Sequence, residues 1–149
     1  MPTLQKLRIL LVDDHHMFRA GLKSLIEQKA EFDVVAEAAS IGEAMIKMGE
    51  SLPDIVIADL SIGRESGLEL IAKVQRLAAQ TRVVILSMHS TEALVGEALK
   101  RGAGAYLIKE AAPEELDIAL HAVSRGETYL SPAVSTKMIN RFVRPGGGA

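Results

Sequence analysis
Five polar side chains stand where an aliphatic run stops. Asp13 and Asp14 follow Ile9-Leu10-Leu11-Val12, and Asp59 follows Ile55-Val56-Ile57-Ala58. Ser87 follows Val83-Val84-Ile85-Leu86, and Lys109 follows Ala105-Tyr106-Leu107-Ile108. If the runs are parallel strands, these residues gather at the carboxyl edge of the sheet, where open α/β sheets bind ligands. Three carboxylates in one crevice repel one another, and a divalent cation relieves that repulsion. Mg2+ suits such a site, because it takes one or two carboxylates and keeps waters and a phosphate oxygen in its shell. With the cation in place, Asp59 can attack phosphorus and become an aspartyl phosphate. Phosphoryl transfer asks mainly for positioning and charge neutralisation. Lys109 would pair with one phosphoryl oxygen, and Ser87 would donate a hydrogen bond to another.

The intervening segments must place these residues together. A fifth apolar run, Val34-Val35-Ala36, ends in Ala38-Ala39 and adds nothing polar. Three runs are almost wholly aliphatic, as strands buried on both faces are. Between the runs lie segments of helical period: Phe18, Leu22, Leu25 and Ile26; Ile41, Met45 and Met48; Leu70, Val74 and Leu77; Leu94, Ala98 and Leu99; Leu116, Leu120 and Val123. The order βαβαβαβαβα predicts a parallel sheet with right-handed crossovers and helices on both faces. In the order 2-1-3-4-5, strands one and three are neighbours and bring Asp13, Asp14 and Asp59 together. Gly102 and Gly126 suit helix ends, and Pro113 with Glu114 and Glu115 suits a helix start. Ser131-Pro132 then reads as the cap and first turn of a sixth, partly exposed helix carrying Val134, Met138 and Phe142.

Composition narrows the class. The 149 residues suit one domain, and 48% hydrophobic content supports a core that is aliphatic, since Trp is absent and aromatics are 3%. A net charge of −2 gives no general attraction to nucleic acid. Without Cys there is no disulfide or thiolate metal site. Met1 to Arg8 lacks a signal-peptide core, and no apolar run reaches spanning length, so a cytoplasmic domain without membrane contact is expected.

Asp13-Asp14, Asp59, Ser87 and Lys109, each behind its strand, resemble the receiver domains of two-component response regulators. The resemblance covers residues 6 to 125. Ile9 to His15, Gly102 to Lys109 and Arg125 to Pro132 look most like the NarL/FixJ branch. It implies a flavodoxin-like (βα)5 doubly wound fold, a receiver over residues 1–127, and a linker helix with a flexible tail over 128–149. It implies Asp59 as phosphoacceptor, Asp14 and Asp59 as Mg2+ ligands with the Ser61 backbone carbonyl, and Asp13 as a contact through water. Ser87 and Tyr106 match the switch pair, whose movement remodels the face of the fourth helix, fifth strand and fifth helix. The implied donor is a sensor histidine kinase or a small acyl phosphate, and the site slowly loses its own phosphoryl group. Two departures stand out. The loop after Asp59 reads Ile62-Gly63-Arg64-Glu65-Ser66-Gly67, with Gly63 where the branch usually has proline, which predicts a looser loop. This branch also continues into a LuxR-type helix-turn-helix domain, and the chain stops first. Either a longer protein is cut here or the protein is receiver-only.

Simpler readings stand beside these. Asp13-Asp14 alone could be a helix N-cap pair. Lys109 could pair with Glu110, and Tyr106 could be core. His15-His16 do not suit joint metal ligation, because adjacent helical residues point apart. His89 could line the crevice mouth, and His121 belongs on the exposed face of the fifth helix. Met17, Met45, Met48 and Met88 read as core gap-fillers. Arg125, Lys137, Arg141 and Arg144 make a mildly basic end, usually a solvated face. The sixth helix could pack on the domain, join a helix-turn-helix domain, or pair with a second copy. Two rivals to the signalling switch remain. A pseudo-receiver would bind partners unphosphorylated, and a Mg2+-dependent phosphohydrolase would want an Asp where Ser61 stands.

Overall fold
The computed structural model describes residues 6–143, and in the last helix it describes side chains as far as residue 140. The main strands are β1 (Leu7–Val12), β2 (Phe32–Ala38), β3 (Ile55–Asp59), β4 (Arg82–Ser87) and β5 (Ala105–Ile108). The helices are α1 (His16–Glu27), α2 (Ile41–Ser51), α3 (Gly67–Leu77), α4 (Glu92–Lys100), α5 (Ala112–Ser124) and α6 (Pro132–Val143). The strands pair in parallel in the predicted order 2-1-3-4-5. A sixth strand, β6 (Tyr129–Leu130), adds to the β5 edge in parallel and was not expected. Its two residues sit between Gly126 and Ser131 and are too few to read as a strand from pattern.

Period-two alternation sorts the central strands onto two cores. Ile9, Leu11, Ile55, Ile57, Val84, Leu86 and Leu107 meet Leu22 and Ile26 of α1 and Leu116, Leu120 and Val123 of α5. Leu10, Val12, Val56, Ala58, Val83, Ile85 and Tyr106 meet α2, α3 and α4 through Ile41, Met48, Leu70, Val74 and Ala98. Each such buried aliphatic side chain contributes about 1.5–3 kcal/mol, which lets the sheet edge carry a group of mutually repelling charges. The central strands are buried on both faces, as their uninterrupted runs predicted.

Some core expectations need correction. Leu77 is exposed, and Ile71, one position from Leu70, takes the buried place on α3. Met48 is buried and Met45 packs at the core edge, but Met17 and Met88 are exposed. Both lie near the open carboxyl edge, where the sheet has no covering layer. Ser131 does precede α6, yet its hydroxyl is used elsewhere. It accepts from the Ile108 amide at 3.0 Å and donates to Glu115 Oε1 at 2.7 Å. Val134 is fully buried against the α4 side of the sheet, so the first turns of α6 pack on the domain. Phe142, Arg141, Arg144 and the expected tail lie outside the described residues or side chains.

Candidate functional site
Register brings the acidic residues together. Val12 pairs with Ala58, so Asp13 and Asp59 are the next residues on neighbouring strands. Ser87 ends β4 opposite Ile108, and Lys109 is the next residue on that neighbour. Lys109 opens a short 3-10 turn, Lys109–Ala111, that leads into α5. Its Nζ lies 2.7 Å from Asp59 Oδ2 and 3.2 Å from Asp13 Oδ2, and 4.2 Å above the Phe18 ring. Glu110 is therefore not what orients it. Burial works to lower the Lys109 pKa, but the hydrogen bond and charge of Asp59, then Asp13, outweigh it and the net shift is upward.

Asp13 is buried, and its Oδ1 accepts from the His15 amide at 2.8 Å. The N-cap of α1 is His15 rather than either aspartate. Asp14 Oδ1 is shut off from solvent without a hydrogen-bond partner, whereas the equally enclosed Asp13 Oδ2 has only the Lys109 ammonium, 3.2 Å away. Asp13, Asp14, His15 and Asp59 each offer a ligand atom within 4.8 Å of the others. An orphaned Asp14 oxygen inside such a cluster fits a hard divalent cation, which would neutralise the charge that the single lysine leaves uncompensated.

The segment beyond Asp59, where a looser loop was expected from losing proline, forms a short hairpin. Ser61 pairs with Ser66 and Ile62 with Glu65 across Gly63-Arg64. Gly63 has φ +61°, a left-handed value that proline cannot adopt and that a two-residue hairpin turn wants in its first central residue. The Ser61 amide donates to Asp59 Oδ1 at 3.1 Å, and Glu65 Oε1 accepts from the Ile41 amide at the start of α2. Ile62 is buried beneath. Gly67 lies so close to β3 that a Cβ there would sit 2.5 Å from the Asp59 carbonyl oxygen.

Ser87 and Tyr106 are both buried and meet on the backbone of His89. The His89 amide donates to Ser87 Oγ at 2.9 Å, while its carbonyl accepts from the Tyr106 hydroxyl at 2.6 Å. Burial above all, with the Asp59 charge adding, pushes the Tyr106 phenol upward against a hydrogen bond from Ser87. The His89 side chain is exposed, and Met88 takes the expected place at the crevice mouth. With His15, Phe18, Lys109 and Glu110 it lines an open hollow of about 340 Å³.

Sequence reasoning missed three contributors. His15, taken with His16 as an improbable pair, enters the acidic cluster alone, while His16 Nδ1 meets Arg19 at 2.9 Å. Arg19 donates through Nη1 to the Asp13 carbonyl and through Nε to Glu37 at 2.9 Å. Phe18, read only as core, lies under the lysine ammonium. The signal available was helical spacing, because His15 and Arg19 are one turn apart on the helix that follows Asp14. His121 lies half-exposed on α5 beside Asp117 and Glu31, with its ring 5.1 Å from that of Phe32.

A family model described as the response regulator receiver domain matches residues 9–121. The chain belongs to that family. This receiver is 41% identical over 136 residues to the nitrate/nitrite response regulator protein NarL of Escherichia coli (strain K12), covering 91% of the chain and 62% of the relative. It is 36% identical over 138 residues to the oxygen regulatory protein NreC of Staphylococcus haemolyticus, covering 92% and 64%. The chain thus spans a little under two thirds of these relatives. A LuxR-family two-component response regulator from Aurantimonas sp. superimposes with a TM-score of 0.89 at 35% identity, over 93% of this chain and 99% of that one. These likenesses place the receiver in the NarL/FixJ branch. Its fold is the flavodoxin-like one expected, with one strand more.

Proposed function
We propose that this receiver takes a phosphoryl group on Asp59 from a sensor histidine kinase and passes the change to a DNA-binding domain beyond residue 149. Mg2+ belongs to this reading: Asp14, Asp59 and the Ser61 carbonyl would hold it directly and Asp13 through water, and it would supply charge neutralisation at the phosphoryl oxygens. Lys109 carries the proposal. An ammonium 2.7 Å from Asp59 Oδ2 and 3.2 Å from Asp13 Oδ2 is built to meet a dianion arriving at Asp59. The Ser61 amide holds the other Asp59 oxygen, which leaves Oδ2 to form the bond to phosphorus. The leaving group departs opposite Oδ2. Lys109 then transfers its pairing to a phosphoryl oxygen, and Ser87 Oγ turns from the His89 amide to another. Tyr106, hydrogen-bonded to the same His89, follows that movement.

The receiver occupies residues 1–127 and the linker 128–149 in this reading. The linker's first residues are in contact with the switch, because Leu130 pairs with Tyr106 across β6 and β5. The chain catalyses only its own phosphorylation and the slow loss of the group. The cytoplasm is its compartment, in keeping with the absence of Cys and, among the described residues, of any helix long and apolar enough to cross a membrane. A second copy of the chain is a further partner. The Gly63 hairpin, paired through Ser61–Ser66 and Ile62–Glu65, supports this reading over a pseudo-receiver with a loosened acceptor loop.

Acetyl phosphate with Mg2+, followed by mass spectrometry under acid quench, tests the assignment. One phosphoryl group is expected on Asp59, none on Asp59→Asn, and none when Mg2+ is chelated. Phosphate on another residue of the wild-type chain, or continuous turnover of donor, overturns it.

A further inference from the structure
We infer that His15 gives the acidic site a nitrogen ligand and with it an affinity for borderline divalent cations such as Zn2+ and Co2+, over and above its use of Mg2+. The inference rests on the metal-assisted reading of Asp14 and Asp59 given above. His15 Nδ1 lies 3.1 Å from Asp13 Oδ1, 3.6 Å from Asp14 Oδ1 and 3.8 Å from Asp59 Oδ2. Donor atoms sharing one four-coordinate zinc at bond lengths of about 2.0–2.1 Å stand roughly 3.3 Å apart. The three separations from the ring bracket that spacing, and the four ligand atoms lie within 4.8 Å of one another; the Lys109 ammonium, 3.5 Å from the same nitrogen and 2.7 Å from Asp59 Oδ2, has to swing aside for an ion to enter. Of these oxygens, Asp14 Oδ1 is shut off from solvent without a hydrogen-bond partner.

The imidazole is presented from outside the cluster. His15 is the N-cap of α1, and its side chain is 64% exposed, so the ring can turn toward or away from the cluster without moving the core. Its amide is pinned to Asp13 Oδ1, which keeps the side chain over the site in either orientation. Imidazole suits Zn2+ and its neighbours, whereas Mg2+ is hard, prefers oxygen and retains its waters. His15 therefore separates the two classes of metal: one uses the ring and the other leaves it in solvent.

Calorimetric titration of the whole chain with ZnCl2, CoCl2 and MgCl2 tests this, comparing wild type, His15→Gln, His15→Ala and Asp14→Ala. Both His15 variants are expected to lose at least about tenfold in Zn2+ and Co2+ affinity while Mg2+ affinity is unchanged. The wild-type Co2+ form should show a hyperfine-shifted imidazole N–H resonance that both variants lack. Because only position 15 differs, the second histidine cluster at Glu31, Asp117 and His121 does not contribute to the contrast. Zn2+ affinity unchanged in His15→Gln and His15→Ala overturns the inference, as does a rise in Mg2+ affinity, which would make the ring a competing cation. If Asp14→Ala leaves Mg2+ binding intact, the metal-assisted reading itself fails, a result separate from either His15 outcome.

Discussion

The acidic side chains at the strand ends are held together against their own repulsion, and that has a measurable consequence. Asp14 Oδ1 is buried without a hydrogen-bond partner in a cluster with Asp13 and Asp59. Asp14→Ala should therefore stabilise the metal-free protein, by about 1 kcal/mol, while abolishing the stabilisation that Mg2+ provides. Melting curves in chelator and in Mg2+ check both halves; a variant less stable in chelator would show that Asp14 is not strained by its neighbours. Lys109→Ala acts in the opposite sense. It removes the ammonium that Asp59 and Asp13 share, so the metal-free protein should lose about 2 kcal/mol and gain more from Mg2+ than wild type does. At this scale the sequence was legible where a polar residue ended an aliphatic run. It was not legible at His15, Phe18 and Arg19, whose types have common roles in water or core and which acquire theirs only from what α1 faces.

Among the elements, the hairpin after Asp59 has the sharpest conformational demand. Gly63 sits at φ +61°, so Gly63→Pro, although it restores the residue more usual in this branch, should break the turn and cost about 3 kcal/mol. Gly67→Ala should cost a similar amount, about 2–3 kcal/mol, because its Cβ would meet the Asp59 carbonyl at 2.5 Å and push α3 from the acceptor strand. Urea unfolding of the two variants, with Gly21→Ala as a control position that has open space around it, measures both. The helical periods were readable because core contacts recur every three or four residues. The hairpin was not, since Ile62-Gly63-Arg64-Glu65 carries no alternation and its placement depends on Ile62 burying and Glu65 reaching the Ile41 amide of α2. The packing of β6 and the first turn of α6 was equally hidden. It turns on Ser131, whose hydroxyl joins the β5 backbone to Glu115 of α5.

For the whole molecule, alkaline pH is the condition that removes the polar ties at once. Lys109 has its pKa raised from 10.5, Tyr106 from 10.0, and Tyr129 from 10.0 to about 12, the last by burial and its hydrogen bond to Glu115. Groups with raised folded values contribute stability that is whole below their unfolded values and is lost as pH rises through the folded ones. Stability should accordingly hold up to about pH 10 and fall across the next two units. With two tyrosines and no tryptophan, tyrosinate absorbance reports both phenols without interference. In the folded protein it should appear above pH 10.0, with the Tyr129 transition near 12, and Glu115→Gln should bring the Tyr129 transition down. A single transition at the ordinary tyrosine value in the folded chain would contradict the placement of both rings.

What the residue order settled by itself was the alternation of strands and helices and the identity of Asp13, Asp14, Asp59, Ser87 and Lys109 as strand-end groups; the strand order was supplied by the family resemblance. The first two follow from periodicity, which is a local constraint. Tertiary structure alone decided which atoms meet: Lys109 on Asp59 rather than on Glu110, Ser87 and Tyr106 on one backbone unit at His89, and His15 inside the acidic cluster. Such meetings depend on register and on the approach of separate elements. Side chains far apart along the chain become neighbours only when the sheet has closed and its helices have packed.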